Sequence, residues 1–84
     1  MDDEKDYERI GRFIYGMQRA GLDDARLREM AADRAHPERA AQAARLAQLF
    51  DMIVPRQGQV LSGEELTHTL DEAWHLFQAC SRAG

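Results

Sequence analysis

The sequence predicts an all-α fold, a small antiparallel bundle of three to four helices. Three observations predict it. The good helix formers Leu, Ala, Met, Glu, Gln and Arg dominate, while Val occurs twice and Ile three times. Apolar residues recur at three- and four-residue spacing along most of the chain. Only two prolines, Pro37 and Pro55, interrupt it, and both fall at the edges of apolar stripes. The helices are expected at about 3–20, 24–35, 37–54 and 63–81, within one domain spanning residues 1–84. Residues 1–6 form an acidic N-terminus open to fraying.

In the first helix, Tyr7, Ile10, Phe13, Ile14 and Met17 share one face. The early acids suit the positive end of the helix dipole, and Arg19 suits the other end. Gly21 is a left-handed stop, with Leu22 placed to fold back on Met17 as in the Schellman motif. Gly11 and Gly16 each weaken the helix by roughly 1 kcal/mol relative to alanine. That cost points to a close approach by a neighbour or to a bend.

The second helix has Asp23 as N-cap and Leu22 and Leu27 as a hydrophobic staple. Its stripe of Leu27, Met30 and Ala31 is too short to stand alone. His36, preceding Pro37, is biased away from helix, and Pro37 suits the first position of helix three. There Ala43, Leu46, Ala47, Phe50, Ile53 and Val54 form the core stripe, with Leu49 and Met52 outside it. Residues 56–59 read as a loop. Ser62 and Glu65 then make an S-x-x-E capping box, with Leu61 and Leu66 as its staple. Leu66, Leu70, Ala73, Trp74 and Phe77 form the core stripe of helix four, flanked by Leu76 and Cys80.

Charge is unevenly spread. Residues 1–8 carry a net −4, residues 9–45 a net +3 and residues 46–84 a net −3. The molecule is dipolar rather than uniformly acidic. The lone Cys80 excludes an intrachain disulfide and a cysteine metal knuckle. No signal peptide and no membrane span are read, so a cytoplasmic location is expected.

Three function classes compete. The leading one is a non-enzymatic protein–protein interaction module: an adaptor, regulator or inhibitor of a larger bacterial or phage complex. It would bind through apolar residues the bundle leaves over, Tyr15, Leu49 and Met52, with Asp2, Asp3 and Glu4 steering it to a basic partner. Self-association as a homodimer obeys the same physics. The second class reads helices two and three as a helix-turn-helix, with Arg39, Gln42 and Arg45 facing DNA. The net negative charge weighs against it, as do the acidic tail and fourth helix. The third is a metal site built from two Glu-x-x-His pairs, Glu65/His68 and Glu72/His75. Both pairs lie on one helix, opposite its apolar stripe, so a solvated polar face is the simpler expectation. No catalytic residue, cofactor or small-molecule substrate is expected, because no nucleophile has a base at suitable spacing.

Overall fold

The computed structural model describes residues 2–54, 61 and 63–82, with side chains for 5–54, 61 and 63–81. Four helices are present: α1 (Asp2–Arg19), α2 (Asp24–Ala31), α3 (Pro37–Ile53) and α4 (Gly63–Arg82). There is no strand among the described residues. Helix α1 is regular from Asp2 onward, across the stretch expected to fray. Ser62, the loop at 56–59 and the stop at Pro55 lie outside the described residues. The proposed staple partners are inside them: Leu66 is buried and Leu61 packs on the core.

Side-chain contacts give the helix directions. Arg9 reaches Thr67, Phe13 meets Trp74, and Gly16 faces Trp74 and Phe77. The numbers rise together, so α1 and α4 run parallel. Arg45 pairs with Glu72, while the charge of Arg39 is felt at Cys80. Here the numbers run in opposite senses, so α3 and α4 are antiparallel. The three long helices therefore alternate up, down and up, with α2 as the short connector. Helix α3 packs closely on both α2 and α4, and α1 joins along a thinner seam with α4.

The core is one continuous cluster. Its centre is Phe13, Met17, Leu27, Leu46, Leu49, Ile53 and Leu66, all essentially without solvent contact. The Phe13 ring meets Trp74 edge-on at 5.1 Å, and Trp74 meets Phe77 at 5.3 Å. Phe50 approaches the same Phe13 from α3 at 6.3 Å. Each such pair contributes about 0.5–1.5 kcal/mol beyond the area it buries.

The corner between α1 and α2 forms as the sequence predicts. The Leu22 N–H donates to the Met17 carbonyl (2.9 Å) and the Gly21 N–H to that of Gln18 (3.1 Å), a complete Schellman pair. Gly21 holds φ at +72°, the left-handed region. One residue on, the Asp23 carboxylate accepts from the Arg26 N–H (2.8 Å) and caps α2. Leu22 and Leu27 are both buried, closing the staple.

Helix α2 stops at Ala31, four residues before the expected end at 35. Asp33 is the reason. Its carboxylate accepts from the Ala35 N–H (2.9 Å) and bonds the His36 ring (2.9 Å). A short acidic side chain bonding two residues ahead competes with the helix for the backbone. His36 is non-helical and Pro37 opens α3, as expected. Helix α3 ends at Ile53, and Val54 turns extended (ψ 123°), as a residue before proline should.

Two glycine substitutions should move stability in opposite directions. Gly21→Ala should cost about 1–2 kcal/mol, because a Cβ strains the left-handed corner. Gly11→Ala, in an exposed helix interior with nothing within 4 Å of the new methyl, should gain about 0.4–1 kcal/mol. Urea unfolding of both variants against the parent chain measures the pair.

Candidate functional site

Among the described residues three large apolar side chains stay exposed: Tyr7 (54%), Tyr15 (59%) and Met52 (52%). Two of the three apolar residues expected to bind a partner, Tyr15 and Met52, are thus on the surface. The third, Leu49, is a correction: it is only 1% exposed and belongs to the core. Leu49 lies one turn beyond Arg45, whose side chain reaches Glu72 on α4. A stripe drawn for one neighbour misses a residue buried by a second.

Tyr7 is the opposite correction. It was placed in the core stripe of α1, yet it faces solvent, and Asp6 is buried in its stead. The buried sector of α1 runs through Asp6, Ile10, Phe13 and Met17. It is turned towards α4, which meets this edge at Gly16: a Cβ there would stand 3.4 Å from the Trp74 indole, an ordinary van der Waals contact. Arg9 fastens the same edge, lying 3.6 Å from the Asp6 carboxylate and donating to the Thr67 hydroxyl (3.0 Å). The signal was in the sequence. A glycine on the flank of an apolar stripe marks where a neighbour comes close.

The rotation leaves an exposed ridge on α1. Tyr7, Gly11 and Tyr15 follow one another at four-residue spacing, so they lie on one side of the helix within about 80° of arc. Gly11 is exposed, and nothing stands within 4 Å of where its Cβ would be. Charge borders the ridge. Glu8 and Arg12 pair at 2.7 Å, and Arg19 donates to the Tyr15 hydroxyl (3.3 Å) with its guanidinium 5.8 Å from the ring centre. Half-buried Ile14 lies on the core side. Asp2, Asp3 and Glu4 occupy the first turn of this helix.

Met52 does not join that ridge. It lies seven residues beyond Arg45, on the side of α3 that meets the outer edge of α4 through Glu72. Tyr15 points away from the core off α1. The two stand on different helices, α1 and α3.

The DNA-facing trio is dispersed. Arg45 makes a forked pair with Glu72 (2.7 and 3.2 Å) and a bond to Gln48. Arg39 and Gln42 are half-buried where α3 begins, lining an open cleft of about 560 Å³ with His36 and Glu38. Arg45 is thus exposed but paired with Glu72, while Arg39 and Gln42 face the open cleft. Of the proposed metal ligands, Glu65, His68, Glu72 and His75 all lie exposed on α4, and Glu72 is held by Arg45. Among the described residues no three His, Cys, Asp or Glu side chains converge as a metal site. A second open groove, of about 310 Å³, runs between α1 and α4 past Arg9, Arg12, Asp71 and Trp74.

Cys80 is buried, and burial pushes its thiol above the ordinary range, partly offset by the Arg39 charge. It is a core residue, not a nucleophile. No helix among the described residues is long and apolar enough to cross a membrane. No family model, curated protein or solved structure matches this chain. Its surface must therefore carry the functional argument.

The exposed pairs give the protein a defined acid response. The hydrogen bond from Arg45 holds the Glu72 carboxyl below its usual range, and the bond with His36, followed by the Ala35 N–H, does the same for Asp33. A depressed carboxylate stabilises the fold above its unfolded pKa, about 3.9 for Asp and 4.3 for Glu. That stabilisation disappears as pH falls through the lower folded value. Glu72→Gln should lose a little stability above about pH 4.3 and show a flatter acid limb below it. Urea midpoints between acid and neutral pH check this, and parallel curves would show the pair to be inert. Thiol reagents should label Cys80 only as fast as the chain opens, and at once in denaturant.

Proposed function

We propose that this chain is a non-enzymatic protein–protein interaction module that docks through the exposed ridge of α1. The observation that carries the reading is Gly11, bare between Tyr7 and Tyr15. A glycine inside a helix costs about 0.8–1.0 kcal/mol against alanine. Trp74 lies in van der Waals contact with the place of a Gly16 Cβ, whereas among the described residues nothing comes within 4 Å at Gly11. A partner side chain seated on Gly11 would have a tyrosine ring on each side. Tyrosine suits such a place, because it offers a large apolar face, a polar tip and few rotamers to freeze.

The rim supports the same reading. Glu8, Arg12 and Arg19 line one flank of the ridge with charge, as the rim of a protein interface does. Asp2, Asp3 and Glu4 add negative charge at one end, which would steer the module towards a basic surface. An adaptor, regulator or inhibitor of a larger cytoplasmic assembly fits these features. Buried Cys80 offers no nucleophile to an enzymatic reading.

Affinity capture from the source cell tests the ridge directly. Tyr15→Ala should reduce recovery of the partner about tenfold or more, as for a central aromatic anchor. Gly11→Ala should also reduce it while raising the stability of the isolated chain. Met52→Ala, on α3 rather than α1, should bind as the parent does. Equal capture by all three would remove α1 as the docking surface.

A further inference from the structure

We propose that the occupant of the α1 ridge is a second copy of this chain, its α1 antiparallel to the first about a two-fold axis at Gly11. This rests on the reading of the ridge as the docking surface and gives that surface one partner. Two observations select a second copy.

The first is the symmetry of the ridge. Tyr7 and Tyr15 stand four residues to either side of Gly11, about 6 Å away along the helix axis. A copy turned about Gly11 sets Tyr7 of each chain level with Tyr15 of the other. The contact is isologous and closes on itself. Two bare glycines meet at the crossing and let the helices approach. Both ridges follow i±4 rows, which pack at a crossing angle of about −50°.

The second is charge. Residues 2–8 of α1 carry a net −4, and residues 9–19, with Arg9, Arg12 and Arg19, a net +3. In an antiparallel pair centred on Gly11, residues 2–8 of one copy lie beside residues 14–20 of the other, which carry Arg19 alone, whereas a parallel copy would set −4 beside −4. In the register set by Gly11, Arg19 of one copy comes level with Asp3 and Glu4 of the other. The helix dipoles oppose each other in the same arrangement.

Single-cysteine cross-linking reads the register. Cys80 is buried and stays out of the reaction in the folded chain. Gly11→Cys should couple to itself under mild oxidation, since the two backbones would meet within the roughly 7 Å a disulfide spans. Two copies of Tyr7→Cys would stand about 12 Å apart along the helix axes. That variant should couple at least about tenfold more slowly to itself than to Tyr15→Cys in an equimolar mixture. In sedimentation equilibrium the parent chain should shift with concentration from 9.6 kDa to twice that mass, and Tyr15→Ala should weaken the association about tenfold or more. A chain that stays monomeric at millimolar concentration overturns the inference. So does Tyr7→Cys coupling to itself as fast as Gly11→Cys, which marks parallel pairing. If the monomeric chain still loses a heterologous partner on Tyr15→Ala, the docking ridge stands and self-pairing alone falls.

Discussion

The Trp74 indole holds the bundle in its particular arrangement. It meets Phe13 edge-on, leans on Phe77 and rests over the backbone of Gly16. Phe13 in turn reaches Phe50 on α3, so the three long helices touch through one aromatic chain. Burying Phe13 alone is worth about 1.5–3 kcal/mol, a large share of the margin of so small a domain. The contact also sets the rotation of α1. With Trp74 on the Gly16 side, the buried sector is drawn to Asp6, Ile10, Phe13 and Met17. Tyr7, Gly11 and Tyr15 are turned out together. The candidate docking ridge is a consequence of where the indole sits.

Around that seam, local chemistry sets the course of the chain. The Schellman pair at Gly21, the cap at Asp23 and the bonds from Asp33 lie within fourteen residues. They bend the chain twice and leave α2 only eight residues long. A helix of that length cannot persist unaided. It is kept by burial of Leu27 and Met30 against α3 and by its caps. Surface ion pairs contribute little individually, yet they decide which arginines remain available. Arg45 is committed to Glu72 and Arg9 to Asp6 and Thr67, while Arg19 borders Tyr15. The basic middle of the sequence is therefore distributed over several faces rather than gathered into a nucleic-acid surface.

Self-association through α1 would answer two features with one contact. It would use the glycine that has no role inside the chain, and it would set the acidic start of α1 against its basic end. A small domain with a thin seam between α1 and α4 also gains from covering α1, because binding that favours the folded state adds to its stability.

The sequence alone determined what depends on near neighbours. Helix formers at helical spacing, the Gly21 stop, the Asp23 cap and Pro37 at the head of α3 act within a turn or two, so each helix start was legible. Asp33 was equally local but unread, since its effect on the end of α2 needed an acidic side chain seen as a competitor for backbone N–H groups. Tertiary structure alone decided which side of each stripe was covered. Leu49 and Tyr7 exchanged their expected places because a helix in a bundle faces two neighbours at once, and periodicity records one direction. Leu49 is buried one turn beyond Arg45, which faces α4, and the buried sector of α1 is turned to Asp6 beside the contact of Arg9 with Thr67. What began as a four-helix bundle with apolar residues to spare thereby became one with a specific ridge, Tyr7–Gly11–Tyr15, left open.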